Sequence, residues 1–202
     1  TLSTGAGESA SGAISLITGS TKTGESGGVL ATTGDVDKGR SGEILLSVGS
    51  SGGSLGQYVG INAGSGSLGG SLIGLAGDGL EGSGGDVTFK TGSSATDLSK
   101  SGSVQIMSAI SQGATGDVGI TTGMSTARGS GGVSITTGKA STLAAGGIEI
   151  AGGDSAESSG ADVIITAGAS GAEAVEAGGS VALMGGAGTT GGSVLINGAA
   201  GS

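Results

Sequence analysis

The chain has 202 residues, 51 of them glycine, a single phenylalanine and a single tyrosine, and a net charge of −9. It contains no proline, cysteine, histidine or tryptophan. This composition excludes a histidine-based catalytic triad, a zinc or copper site built on His and Cys, a disulfide framework and a proline-bearing collagen helix. It also lacks the basic stripe and stacking aromatics that nucleic acid requires.

A single repeating sentence runs from end to end, typified by SGGVSITTGK at Ser130–Lys139. It reads small-x-φ-x-φ-x-x-Gly, where φ is apolar. The first φ positions are Ile14, Val29, Ile44, Val59, Leu72, Val87, Val104, Val118, Val133, Ile148, Val163, Val181 and Val194. Their intervals are 15, 15, 15, 13, 15, 17, 14, 15, 15, 15, 18 and 13. Gly/Ser-rich chains are usually flexible coils, but a random linker does not hold valine and isoleucine in phase over thirteen units.

The second φ falls two residues on, at Leu16, Leu46, Ile61, Phe89, Ile106, Ile120, Ile135, Ile150, Ile165, Leu183 and Ile196, with Ala31 and Gly74 as weak members. Alternating β-branched residues bounded by glycine signal a strand. A third, small inward position follows at Thr18, Thr33, Ala63, Thr91, Thr122, Thr137 and Ala167. A turn glycine closes the unit at Gly19, Gly34, Gly49, Gly64, Gly77, Gly92, Gly123, Gly138, Gly153, Gly168 and Gly186, while Ala109 and Ala199 depart from the rule. Glycine at such a corner is expected to supply positive φ.

Polar segments such as STKTGES, DVDKGRS, KASTLAAG and DSAESSG separate the strands, with longer ones at 93–101 and 169–178. Their small residues Ser51, Ser94, Ser125, Ala140, Ser155 and Ser170 read as the inward side of a second, poorer strand. Fifteen residues then give two short strands and two corners, about 50 Å of path, and a climb of about 4.8 Å per turn. The expected fold is all-β: a parallel β-solenoid of thirteen 15-residue turns with two short strands per turn and a small-residue core. The core candidates are Ile14, Val29, Ile44, Val59, Val87, Phe89, Val104, Ile106, Val118, Ile120, Val133, Ile135, Ile148, Ile150, Val163, Ile165, Val181, Leu183, Val194 and Ile196. Residues 1–202 read as a single array, cut mid-repeat at both ends, with Gly5 closing an earlier partial unit. No apolar run is long enough to span a bilayer, and no initiator Met or signal peptide is present.

Chemistry is sparse. GESGG (Gly24–Gly28) and GGSLG (Gly52–Gly56) match the G-x-S-x-G elbow, which needs a histidine and a following helix. GSGSLG (Gly64–Gly69) matches G-x-G-x-x-G without the helix whose N-terminus would hold a phosphate. In a chain this rich in glycine and serine both matches arise from composition. Calcium could draw on Asp35, Asp37, Asp78, Glu81, Asp86, Asp154 and Glu157, but the aspartates keep no fixed register. The bland reading is a solvated acidic surface. A threonine rank for ordering ice is ragged: Thr32, Thr121, Thr136 and Thr166 share their position with Ile17, Lys90 and Met107. Outward Leu30, Leu45, Ile164 and Leu195 offer scattered apolar contacts.

The units SGGDVTFKTGSS, TGDVGITTGMS and GGSVLINGAAGS resemble the glycine-rich, β-solenoid-like structural repeat proteins on the surfaces of algae and related protists. That resemblance implies a secreted protein of flagellar hairs or other extracellular fibres, and carries over no catalytic residue. The expectation is therefore a structural, non-enzymatic filament component, extracellular or at the cell surface, without cofactor or metal. It would assemble with itself end to end, with lateral contacts and other filament or cell-wall components as further partners. The alternative is an adhesive solenoid that binds ice, polysaccharide or calcium.

Overall fold

The computed structural model describes residues 1–53, 55–96, 99–171 and 176–199. The chain divides into two compact units, Thr1–Val104 and Gln105–Ser202. The same repeat builds each of them.

No helix and no strand occurs among the described residues, and none of those residues is buried. This corrects the expected parallel β-solenoid. A solenoid pairs each turn's backbone with the next turn, and here the backbone bonds close individual loops instead. Gly70 N–H donates to the Gly64 carbonyl at 2.9 Å, Gly85 to Gly77 at 2.9 Å and Gly102 to Gly92 at 3.0 Å in the first unit. In the second unit Ala161 donates to Gly153 at 2.9 Å, Gly179 to Gly168 at 2.9 Å and Gly192 to Gly186 at 2.8 Å.

These six bonds share one register. The acceptor is always the turn glycine. The donor always lies two residues before the next first φ: Leu72, Val87, Val104, Val163, Val181 or Val194. The bonded residues are 6, 8, 10, 8, 11 and 6 apart, yet the stretch from a donor to its own turn position is 7 residues throughout, as from Gly70 to Gly77 and from Gly179 to Gly186, with Ala109 and Ala199 in place of glycine after Gly102 and Gly192. At these six places the ladder segment follows an Ω-like loop whose ends meet at a neck. The irregular intervals lie wholly in the loops, and their longer members leave the neck unchanged. Loop closure permits this, because doubling a loop adds only about 0.6 kcal/mol.

The neck explains the small third position. That side chain faces the donor residue across the neck. A Cβ added at Gly102 would stand 3.1 Å from the Thr91 side chain, at Gly42 3.2 Å from Thr33, at Gly70 3.5 Å from Ala63 and at Gly179 3.6 Å from Ala167. Thr33 Oγ1 also donates to the Gly42 carbonyl at 3.3 Å, closing its neck through the side chain. A Cβ added at Gly12 would likewise stand 3.4 Å from the Thr4 side chain. Thr18, Thr91 and Ala167 are half-buried where nearly everything else is exposed. The donor position is glycine in eleven of thirteen units, with Gln57 and Ala161 as the exceptions.

Two local expectations change. None of the turn glycines has positive φ; the two described residues that do are Gly24 (90°) and Gly39 (120°), at loop bends. The tight approaches fall instead on the donor side of some necks, where a side chain at Gly42 or Gly102 would crowd Thr33 or Thr91. The second strand is also absent. Ser94, Ser125 and Ser155 instead open their loops as caps: Ser125 Oγ accepts from Arg128 N–H at 3.1 Å and Ser155 Oγ from Ser158 N–H at 3.0 Å. Such local side-chain bonds compete with strand pairing.

All twenty expected core residues are exposed in the single chain. The alternation survives as a bias: Val163 is 50 % exposed, Ile164 81 % and Ile165 66 %. A chain whose frame offers two mid-sized apolar side chains per fifteen residues has little to set against the backbone entropy of its glycines.

Amide hydrogen exchange should separate frame from neck. The amides of Gly85, Gly102 and Gly192 are expected to be protected about fivefold relative to the Val133 and Ile135 amides, matching a solvent-exposed bond of about 1 kcal/mol. Uniform exchange would contradict the necks. Gly102→Val should abolish the protection at position 102, and Thr91→Gly in the same chain should restore it.

Candidate functional site

The residues with chemical potential lie apart. Ser26 of the GESGG match is exposed in a loop, and Ser54 of the GGSLG match lies outside the described residues. GSGSLG is the loop closed by the Gly64–Gly70 neck, bent at 66–68, and no helix follows it. Among the described residues no three carboxylates gather into a possible metal site, so Asp35, Asp37, Asp78, Glu81, Asp86, Asp154 and Glu157 remain dispersed. No described helix is long and apolar enough to cross a membrane.

A concave feature of the first unit is an open apolar cleft of about 470 Å³, lined by Ile61, Leu72, Ile73, Gly74, Val87 and Phe89. It draws on three successive ladder segments, 57–64, 70–77 and 85–92. Alternation brings Val87 and Phe89 to one side of their segment. Gly74 stands where other segments carry a second apolar side chain, which leaves a gap beside the chain's one phenylalanine. Phe89 itself is 84 % exposed. No titratable side chain lines the cleft. The arrangement can therefore hold an apolar group against Phe89 but offers no acid, base or nucleophile.

The cleft joins two expected core residues, Val87 and Phe89, with the ladder residues Ile61 and Leu72, the intervening Ile73 and the weak member Gly74. Its signal was in the sequence, as a glycine and a phenylalanine at the same register in adjacent units. What the periodicity could not show is that both remain open to solvent.

No known protein family, no curated protein and no solved structure matches the chain.

An environment-sensitive apolar dye should report the cleft. Phe89→Ala is expected to weaken its binding about fivefold, the loss of an aromatic contact of about 1 kcal/mol. Ile150→Ala, on a segment outside the cleft, should leave binding unchanged. Equal effects of the two substitutions would show that the dye reads the ladder as a whole.

Proposed function

We propose that this protein is a structural building block of an extracellular or cell-surface filament, and that copies associate through their exposed ladder segments. The observation that carries this reading is the exposure of the entire ladder: Val133 and Ile135, in the most regular unit, are 56 % and 66 % exposed. Apolar surface left in water favours association by about 25 cal/mol per Å² that contact removes. The ladder backbone between the necks makes no hydrogen bond within the chain among the described residues. Unpaired extended backbone beside apolar side chains is a template for pairing with another chain. Thirteen repetitions multiply one weak contact along the array, which is how a repetitive scaffold gains strength without any single strong site. The resemblance to surface-fibre proteins supports the extracellular setting. The reading requires no catalytic residue and no cofactor.

The acidic surface opposes association and sets its conditions. A net charge of −9 repels other copies. Salt shortens the reach of that repulsion, from a Debye length of about 10 Å at 0.1 M to about 3 Å at 1 M. Light scattering and electron microscopy on purified protein should show fibres above a critical concentration that falls as salt rises. Val133→Asp places an unpaired charge on an associating face, at a penalty of several kcal/mol once buried, and should raise the critical concentration at least about tenfold. A chain that stays monomeric at high concentration and high salt would refute the proposal.

A further inference from the structure

One ladder segment differs from the other twelve. The chain has seven Lys and Arg residues, and six of them, Lys22, Lys38, Arg40, Lys100, Arg128 and Lys139, lie in loops. The seventh, Lys90, directly follows the second φ of the segment that carries Phe89. Asp86 directly precedes the first φ of the same segment, so the stretch reads Asp86-Val87-Thr88-Phe89-Lys90. No other segment carries opposite charges at these two places. Asp86 and Lys90 are both exposed, and neither forms an ion pair among the described residues. Between them, Val87 and Phe89 line the cleft.

This pattern is complementary to itself when reversed. We propose that two copies pair antiparallel along Asp86–Lys90, about a two-fold axis through Thr88. The proposal deepens the filament reading and rests on it, since it names the contact that sets the register between copies. In that pairing Asp86 lies opposite Lys90 of the second copy, Val87 opposite Phe89, and Thr88 opposite its own counterpart. Alternation then sorts the contacts by face. One face carries two opposite-charge pairs flanking a Thr–Thr pair. The other carries two aromatic–β-branched pairs. Both kinds of pair stabilise antiparallel neighbours, and like charges directly opposite destabilise them. The contact is isologous, so it closes on itself and orients the two arrays head to head. The second copy's Phe89 would lie over Val87, at the cleft that Gly74 leaves open. The charge pairs also oppose any parallel or shifted alignment, which would set Asp86 against an uncharged or like-charged residue within an acidic chain.

The test uses charge exchange and a cysteine reporter in the full chain. Asp86→Lys alone places lysine opposite lysine, and Lys90→Asp alone places aspartate opposite aspartate. Each should weaken dimerisation about tenfold in sedimentation at low salt. An equimolar mixture of the two variants sets opposite charges together again and should recover wild-type association. The chain has no cysteine, so Thr88→Cys adds a clean reporter. Opposite residues of an antiparallel pair have Cα atoms about 4.5–5.5 Å apart, within disulfide range. With oxidised glutathione, Thr88→Cys should form a covalent dimer at least about tenfold faster than Ser134→Cys, the middle residue of the segment at 131–138. If wild type associates but the mixture shows no recovery, or the two cysteines crosslink equally, this pairing is wrong and association through the ladder stands. If wild type does not associate at all, both fall.

Discussion

The structure depends on one hydrogen bond made over and over: a donor amide two residues before the ladder, closing on the carbonyl of the preceding turn glycine at 2.8–3.0 Å. Each bond is modest, worth about 0.5–1.5 kcal/mol net. Its importance is geometric. It stands at the start of six of the thirteen ladder segments, across loops that differ in length. The threonine or alanine before the turn glycine and the glycine at the donor position are the two sides of the same contact, and each limits what the other can be.

Because the bonds close loops, they leave the segments between them unpaired. That division shapes the rest of the molecule. The ladder keeps its strict alternation, its β-branched character and its phase, all features of a surface that packs. Yet none of its described residues is buried within the single chain. Its side chains and backbone are both available to another copy. Lys90 is the one Lys or Arg on a ladder segment of this acidic chain.

Much of this was legible in the sequence. The turn glycines that accept the six neck bonds lie at the phase the spacing marked for them, and the small third position lies against the neck at Thr33, Ala63, Thr91 and Ala167. The solenoid did not follow. Periodicity identifies which residues are equivalent, but not whether equivalent segments bond to one another or each loop bonds to itself. Ser94, Ser125 and Ser155 illustrate the difficulty. A small residue at a fixed offset fits an inward strand position and a loop cap equally well, and its hydroxyl decided for the cap. The turn glycines illustrate another. They are regular enough to suggest a special backbone angle, yet positive φ falls at Gly24 and Gly39 instead. The glycines at the donor position were just as regular and carried the steric constraint. The cleft was half visible, in Gly74 and Phe89, but its openness depends on a packing that composition alone does not determine.

The necks also make the chain a store of slack. Between its two bonded ends a loop holds 6 to 11 residues of path out of line with the chain. Extended chain covers at most about 3.3–3.6 Å per residue, so breaking one neck under tension releases roughly 20 Å from the shortest loop and nearly twice that from the longest. The bonds are exposed, alike and arranged in series. A strand of this material under load would yield neck by neck, lengthening in small steps and dissipating work at each one. It could re-form the same register on release, because the frame that sets it is never pulled apart.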